Sequence, residues 1–295
     1  MIAAFVIMLR ETLEAALIIG IISSFLVRTK QRKYLIQVAG GSAAGIAASL
    51  LAAFLFNRFS QGFSGKTEAL FEGVTMIVGA LLITTMIFWM MNQYNIAKNI
   101  EKQVSKRVSG TFGAGVFFLV FISILREGVE SVIFLAALRF TTAENTLLGA
   151  LLGMATAIIL GYFLFLGSVK ISVKKVFTFT SILLILFAAG LAAHGVHELQ
   201  EAGIIPVFIE HVWDINPAVG QDGSYPLLHE NGYIGSILKG LFGYNGNPSL
   251  LEVTVYASYI MVVIFIWGVN TRSRRPRYSR RTALRGNKGT ARTNP

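Results

Sequence analysis

The sequence predicts an all-α, polytopic membrane protein with seven transmembrane helices. Of its 295 residues, 54% are hydrophobic and 14% are charged, and the mean hydropathy is +0.63. A soluble domain carries about 25% charged residues, so this composition excludes an ordinary soluble enzyme, a coiled coil and a disordered chain. The apolar residues fall in blocks of about 20, the length that a helix needs to cross a bilayer. The chain has no cysteine, which excludes disulfides, thiolate metal sites and thiol catalysis.

Seven apolar blocks define the predicted spans. We interpret each as a helix, because a segment inside a bilayer must satisfy its own backbone polar groups. The blocks cover residues 2–27, 34–56, 69–91, 111–138, 146–169, 176–199 and 253–270. We therefore expect one membrane domain over residues 1–270 and a basic tail over 271–295. The tail lacks apolar periodicity and is expected to be disordered. Charged residues interrupt the first block, so a cleaved signal peptide is a poor interpretation of it.

The distribution of Lys and Arg predicts the orientation of the chain. The loops at 28–33, 98–107 and 170–175, together with the tail, hold 20 of the 26 basic residues, whereas the alternate loops hold four. Cytoplasmic loops carry the excess of Lys and Arg, so we expect a plasma (inner) membrane protein with its N-terminus outside and its C-terminus in the cytoplasm. Orientation and contact with anionic membrane lipid explain the net charge of +11, which does not indicate nucleic-acid binding.

Residues 200–252 form the long predicted loop, and this orientation places it outside. The loop holds six acidic residues and one lysine. Attraction of cations and simple solubility explain this acidity equally well. Two apolar stretches, IIPVFI at 204–209 and YIGSILKGLFGY at 233–244, are too short to span a bilayer. We expect them to form short helices lying on the outer surface.

Charged residues in the middle of an apolar span are the strongest indication of a functional site in this sequence. Span one reads RETLE from Arg10. At about 100° per residue, Arg10 and Glu14 lie one helical turn apart, where they can pair. Glu11 and Glu14, at i and i+3, can direct their carboxylates to one point. Each unpaired charge costs about 2.5–3.5 kcal/mol to insert into a bilayer, so the group is not expected by chance.

Span four repeats the pattern as REGVE, with Arg126, Glu127 and Glu130. The two arginines are 116 positions apart, and the spans that carry them are predicted to run in opposite directions. Spans 1–3 and 4–6 are therefore predicted to form an inverted repeat, as in transporters with a site near the membrane midplane. Four carboxylates and two guanidinium groups leave a net charge of −2, which favours a multivalent cation. A structural Arg–Glu lock between helices is the alternative.

A second polar group is predicted at the outer end of span six. Its members follow at i, i+3, i+4 and i+7 and so share one helix face: His194, His197, Glu198 and Glu201. They are candidates to collect a metal at the mouth, and Glu72 of span three is a candidate relay carboxylate. A polar helix end in contact with water is the alternative. HELQE lacks the HExxH spacing, so an intramembrane metalloenzyme is a weak alternative, and the protein is expected not to be an enzyme.

The residue types narrow the ion to the hard multivalent cations. Carboxylate oxygens without thiols suit Fe³⁺, Mn²⁺, Mg²⁺ or Ca²⁺ and disfavour Cu⁺. Residue chemistry alone does not distinguish a transporter of iron from a transporter of Mn²⁺ or another hard cation. No permanently bound cofactor is expected.

The motifs resemble those of the oxidase-dependent iron permease family, the high-affinity iron permeases, in its bacterial ferrous-iron-uptake branch. RETLE and REGVE match the paired Arg-Glu-x-x-Glu motifs of that family. LFEGVTM, GLAAHGVHELQEAG and FGYNGNPSLLEV extend the similarity to nearly the whole chain except the tail. Two positions depart from the pattern: Thr12 stands where the common form has Gly, and Gln200 stands where some bacterial relatives have His.

The resemblance implies iron uptake across the plasma membrane, with Fe²⁺ or Fe³⁺ as the transported substrate. It assigns the iron to four carboxylates, with two supporting arginines, as follows: Glu11, Glu14, Glu127 and Glu130, with Arg10 and Arg126. It also implies an extracytoplasmic partner that oxidises Fe²⁺, either a ferroxidase or a haem peroxidase, and an iron-binding lipoprotein.

Overall fold

The computed structural model describes residues 1–92, 113–141, 146–165, 173–220 and 224–272. Within these ranges the chain is all-helical, with eight α-helices, one 3₁₀ turn at Arg32–Tyr34 and no strand. The basic loop at 98–107, residues 170–172 of the loop at 170–175 and the predicted tail from 273 lie outside the described residues. The helices are α1 (Ile2–Arg28), α2 (Leu35–Ser60), α3 (Lys66–Asn92), α4 (Ala114–Thr141), α5 (Thr146–Phe165), α6 (Val173–Glu201), α7 (Tyr233–Phe242) and α8 (Leu250–Arg272).

Seven of these helices are long, and each coincides with one predicted span. Five of them, α2, α3, α5, α6 and α8, are long and apolar enough to cross a membrane. The other two, α1 and α4, have 27 and 28 residues but carry Arg and Glu in their middle. The prediction of an all-helical chain is therefore confirmed for the described residues. Seven crossings and their orientation stay predictions.

Glycines bring α2 and α4 into close contact along their length. A Cβ at Gly41 would lie 2.6 Å from the carbonyl oxygen of Phe117, and one at Gly45 would lie 2.8 Å from the Cβ of Ile124. The residue numbers increase together, so α2 and α4 are parallel. Only residues 29–34 connect α1 to α2, and these two helices pack against each other. α1 is therefore antiparallel to α2 and to α4.

The pair formed by α1 and α5 is built in the same way. A Cβ at Gly149 would lie 2.1 Å from the carbonyl oxygen of Met1, and one at Gly153 would lie 2.4 Å from the carbonyl oxygen of Phe5. These numbers also increase together, so α1 and α5 are parallel. The second helix of each predicted repeat therefore packs on the first helix of the other repeat.

The third helices of the two predicted repeats, α3 and α6, pack against each other. A Cβ at Gly73 would lie 2.8 Å from the carbonyl oxygen of Gly195, and one at Gly79 would lie 3.5 Å from Leu191. One number rises as the other falls, so α3 and α6 are antiparallel. The pairs α1 with α5, α2 with α4 and α3 with α6 are the most extensive helix contacts in the described part of the chain.

The charged residues of α1 and α4 lie between two apolar layers. On one side, Ile7 of α1 and Phe134 of α4 belong to a buried cluster that also includes residues of α3 and α6. On the other side, Ile22 of α1 and Ile124 of α4 belong to a second cluster with a residue of α2. At about 1.5 Å per residue, Glu127 lies roughly 20 Å from each end of α4. The charges are therefore far from both ends of the bundle.

The segment between α6 and α8 contains one helix where we predicted two. The predicted helix at 233–244 is confirmed as α7. The helix predicted over 204–209 is wrong, because these residues have no helical turn. Pro206 explains this difference: it has no amide hydrogen to donate within a helix, and it disfavours the helical conformation at Ile205.

α7 packs into the bundle and contacts α1, α4 and α6. The chain leaves α7 at Gly243, whose φ of 68° is left-handed and suits glycine. A Cβ at Gly190 of α6 would lie 2.5 Å from the Cα of Gly243, so the two backbones touch at this point. Residues 1–260 form one compact unit, and the remaining described residues, 261–272, are the end of α8.

Candidate metal centre

The first Arg-Glu motif is buried inside the bundle. Arg10, Glu11 and Glu14 of α1 are at most 8% exposed. The second motif lies on α4, where Glu127 is buried and Glu130 is partly buried. The two motifs come together because α1 and α4 pack against each other near the middle of the bundle.

Three of the four predicted carboxylates converge. Oxygen atoms of Glu11, Glu127 and Glu130 all lie within 4.8 Å of one another. We call these three residues the carboxylate trio. The fourth residue, Glu14, lies outside the trio, and its Oε1 accepts a hydrogen bond from the Nε of Arg10 at 3.0 Å. The pairing of Arg10 with Glu14 is the one that helical spacing predicts.

The carboxylate trio has buried oxygens without hydrogen-bond donors. Among the described residues, neither oxygen of Glu11 has a partner, and one oxygen each of Glu127 and Glu130 also lacks one. Two negative charges 4.8 Å apart repel by about 3 kcal/mol at an effective dielectric constant of ~20. Buried carboxylates without donors are unfavourable for the same reason that isolated buried charges are. The trio therefore favours a cation or bound protons.

The arginine of the second motif is placed differently from that of the first. Arg126 donates from Nε to Oε1 of Glu127 at 3.1 Å, and the same nitrogen lies 3.5 Å from Oε1 of Glu130. Its guanidinium carbon lies 5.4 Å from the centre of the Trp89 ring, a cation–π contact. The Arg126 side chain is 46% exposed, whereas that of Arg10 is fully buried.

The predicted group at the end of span six is held by hydrogen bonds at the ends of α6 and α8. His194 is buried, and its Nδ1 lies 3.3 Å from the carbonyl oxygen of Gly190. His197 lies between two carboxylates: its Nε2 is 3.2 Å from Glu201, and its Nδ1 is 3.0 Å from Glu252. Within the described ranges, these side chains do not form a second group with the close spacing of the carboxylate trio.

The two remaining candidates lie near the same end of the bundle. Glu198 of α6 is partly buried, and its Cβ faces Gly73 of α3. Glu72, the residue before Gly73 in α3, is also partly buried. It lines a cavity of about 830 Å³ together with Glu68 and Arg139. Glu72 and Glu198 therefore lie at neighbouring positions but belong to a different region from the carboxylate trio.

Glu252 is a polar residue whose role the sequence interpretation missed. It is buried, and its carboxylate accepts hydrogen bonds from the backbone amide of Ser249 at 2.9 Å and from the Asn245 side chain at 2.7 Å. The Ser249 hydroxyl in turn accepts the backbone amide of Glu252 at 3.3 Å, which completes a capping box at the start of α8. The spacing S-x-x-E before an apolar run was the available signal.

The chain is similar to known proteins along most of its length. The family described as "Iron permease FTR1 family" matches residues 1–275. A protein named "Ferrous iron permease EfeU" from Shigella sonnei is 32% identical over 280 residues, 92% of this chain and 97% of the relative. The protein of the same name from Yersinia pestis is 32% identical over 277 residues, 92% of this chain and 95% of the relative. No solved structure matches.

The extent of these matches decides the family. The match to the family spans all eight described helices, and both relatives align over nearly their whole length. Family membership and the five apolar helices also confirm the prediction of a multi-pass protein of the plasma membrane that transports iron. The chain belongs to the iron permease FTR1 family.

Proposed function

We propose that the carboxylate trio is the site through which this permease passes iron across the membrane. The observation that carries the proposal is the convergence of three glutamates, of which four buried oxygens, both of Glu11 and one each of Glu127 and Glu130, lack hydrogen-bond donors among the described residues. A purely structural lock is expected to pair each carboxylate with a donor. Glu11, at 1% exposure, is the least satisfied member, because neither of its oxygens has a partner.

The dimensions of the trio suit a small hard cation. An octahedral ion with ligands at about 2.1 Å has neighbouring oxygens about 3.0 Å apart and opposite oxygens about 4.2 Å apart. The trio oxygens lie within 4.8 Å of one another, so small side-chain movements bring them to such distances. Together with Glu14, Arg10 and Arg126 the site carries a net charge of −2, which an ion of charge +2 or +3 compensates.

We propose that iron oxidation by a partner is coupled to transport. The relatives are named ferrous iron permeases, and carboxylate oxygens bind Fe³⁺ more strongly than Fe²⁺ because the harder, more highly charged ion gains more from them. An extracytoplasmic ferroxidase or haem peroxidase that delivers Fe³⁺, with an iron-binding lipoprotein, fits this preference. Transport of Mn²⁺ is the alternative from the same chemical class, and competition between the metals distinguishes the two.

We further propose that spans 1–3 and 4–6 form an inverted repeat around the trio. The helix directions support this, because α1 is antiparallel to α4 and α3 is antiparallel to α6. The cross-pairing of α1 with α5 and α2 with α4 also supports it, since a two-fold axis exchanges these pairs. Glu72, Glu198 and Glu201, with the nearby His194 and His197, then lie along the approach from the outer side.

The hydrolytic alternative has little support. A catalytic metal site needs protein ligands with open lone pairs and one free position. Both ring nitrogens of His197 face carboxylates, and the Nδ1 of His194 faces a backbone carbonyl. These contacts explain the polar end of α6 as a structural connection, and the permease function therefore does not require catalysis by this chain.

Uptake of radiolabelled iron into vesicles that contain the purified protein tests the proposed function. Glu11→Gln keeps the size of the side chain but removes the charge, and we expect uptake to fall at least a hundredfold. Glu210→Gln, which changes an exposed acidic residue of the outer loop, is the control and should transport normally. Normal uptake by the Glu11→Gln protein contradicts the proposal.

A further inference from the structure

A cavity of about 830 Å³ lies among the ends of α2, α3, α4 and α5. The last turns of α2 and α4 and the first turns of α3 and α5 meet here, at the end of the bundle that the predicted orientation places outside. α2 packs mainly on α4, whereas α5 packs mainly on α1, so α2 and α5 make little contact and the cavity lies between them. Its volume falls within the range of about 300–1,000 Å³ of pockets that hold whole organic ligands.

The wall of this cavity changes from polar to apolar with depth. At about 1.5 Å per residue, all the polar lining residues but Glu72 lie within roughly 5 Å of a helix end. These rim residues are Asn57, Ser60, Gln61, Glu68, Arg139 and Thr146. Deeper than this the lining is apolar apart from Glu72, and Val132 lies roughly 13 Å from the end of α4. A ligand that fits this gradient has a polar end at the membrane surface and an apolar end towards the membrane interior.

The apolar part of the cavity borders the surface that faces lipid. Phe54 and Leu151, which directly follow the lining residues Ala53 and Ala150, are exposed on the apolar helices α2 and α5. Such surfaces contact acyl chains when the helices cross a bilayer. An acyl chain can therefore enter the deep part of the cavity from the side, without leaving the membrane.

Phenylalanine rings form one wall of the cavity. The Phe71 ring lies 5.4 Å from that of Phe56 and 6.3 Å from that of Phe140, measured between ring centres, and all three residues line the cavity. Rings that pack against each other hold their positions, so this wall offers a fixed apolar surface to a bound chain.

Two charges of opposite sign lie at the rim. Arg139 is in the last turn of α4 and Glu68 in the first turn of α3, and both side chains are exposed. A guanidinium group binds phosphate through two parallel hydrogen bonds, and a carboxylate attracts an amine. The rim therefore complements a headgroup that has both a phosphate and a cationic amine.

We propose that this cavity binds one zwitterionic phospholipid of the outer leaflet. Its phosphate binds Arg139, its headgroup amine lies at Glu68, and one acyl chain lies along the apolar wall beneath them. A free phosphate ion or another small soluble anion fits less well, because it leaves the apolar depth unfilled. A pathway for iron through the same space fits less well too, because the lining deeper than Glu72 offers no ligand to a cation.

The proposed lipid also has a structural consequence. α2 belongs to the first predicted repeat and α5 to the second, so a lipid between them fills a gap between the two halves of the bundle. The proposal does not depend on the carboxylate trio, and a permease without a working iron site should still bind the lipid.

Lipid binding to the purified permease in detergent tests the inference. Native mass spectrometry measures the dissociation constants of phosphatidylethanolamine, which has the amine, and of phosphatidylglycerol with identical acyl chains, which lacks it. We expect the ethanolamine lipid to bind at least fivefold more tightly, because Glu68 attracts its amine and repels an anionic headgroup. Equal affinities, or tighter binding of phosphatidylglycerol, overturn the assignment of a zwitterionic lipid.

Substitutions at the rim separate the two headgroup contacts. Arg139→Gln should weaken the binding of both lipids at least tenfold, because both carry the phosphate. Arg58→Gln is its control: it changes an exposed arginine in the last turn of α2 that does not line the cavity. Glu68→Gln should abolish the fivefold preference between the lipids, whereas Glu210→Gln should keep it.

A substitution in the deep part tests the position of the acyl chain. Ala53→Phe places a ring inside the cavity and should weaken the binding of both lipids at least tenfold. Ala47→Phe adds the same ring at an exposed position about 240° around α2 and should leave binding unchanged.

The failures of this inference and of the proposed iron site are distinguishable. Arg139→Gln and Ala53→Phe proteins that bind both lipids as tightly as their controls show that the cavity is not the lipid site. Loss of iron uptake in the Ala53→Phe protein with unchanged lipid binding makes the cavity an iron entrance, which also overturns the inference. Glu11→Gln should bind both lipids normally, so its effect on iron uptake tests the trio alone.

Discussion

Gly128 of α4 lies so close to Ser49 of α2 that a Cβ on the glycine would come within 1.9 Å of the serine Oγ. This contact fixes the distance between α2 and α4 at the level of the second Arg-Glu motif, because Gly128 stands between Glu127 and Glu130. It also gives a physical reason for the glycine of REGVE. Thr12, at the corresponding position of RETLE, is accommodated in α1.

Gly128→Ala should therefore impair transport. The added methyl group forces α4 away from α2, and such overpacking costs about 1–3 kcal/mol and moves the trio glutamates. We expect the initial rate of iron uptake to fall at least tenfold. Gly40→Ala in the same interface is the control, because its Cβ would lie at an ordinary 3.5 Å from Phe117. Adding Ser49→Gly to Gly128→Ala should recover uptake, and failure to recover it contradicts this explanation.

Trp89 should help to hold the half-exposed side chain of Arg126 in position. Its ring lies 5.4 Å from the guanidinium of Arg126, and a cation–π contact at such a site contributes about 0.5–1 kcal/mol. Trp89→Leu should lower the rate of iron uptake about two- to fivefold, and Trp89→Phe should lower it less. Phe118→Leu, which changes an exposed aromatic residue of α4, is the control. Equal rates for the leucine variant and the unmodified protein argue against the contact.

Glu252→Ala should lower the free energy of unfolding of the protein. The substitution leaves the Ser249 amide, the Asn245 amide and His197 without their acceptor, which costs about 3 kcal/mol. At about 2–4 °C per kcal/mol, Tm should fall by roughly 6–12 °C. Iron uptake per folded molecule should be unchanged, with Glu210→Ala as the control. An unchanged Tm with loss of uptake assigns Glu252 to the iron path instead.

A trivalent ion should compete best for the permease. Three carboxylates favour high charge, so Ga³⁺ should inhibit iron uptake at a concentration at least tenfold lower than Mn²⁺ does. The measurement is the inhibition of radiolabelled iron uptake into vesicles in the presence of an oxidant. Equal or stronger inhibition by Mn²⁺ favours the alternative of a permease that accepts hard divalent cations generally.

Much of the fold follows from the sequence. Apolar blocks of about 20 residues predict the seven long helices because the length of a span is set by the bilayer. The pair of Arg10 with Glu14 follows from helical spacing alone and is present at 3.0 Å. Local rules succeed here because the partners lie on one helix, where their separation does not depend on the rest of the chain.

The composition of the trio does not follow from the sequence. Whether Glu11 or Glu14 faces α4 depends on how α1 and α4 rotate and shift against each other, and residue spacing within one helix does not determine this. The different exposure of Arg10 and Arg126 has the same origin, since it depends on which neighbouring elements cover each helix. Glu252 was missed because the acidity of the outer loop hid a capping box that links α8 to α6.

The most direct test of the account is the position of iron in the protein. A structure of the iron-loaded permease, with the metal located by anomalous scattering, should show one iron bound by oxygens of Glu11, Glu127 and one further motif glutamate at about 2.0–2.3 Å. Iron bound elsewhere, for example at His197 and Glu201, with the trio carboxylates held only by arginines or protons, contradicts the central claim.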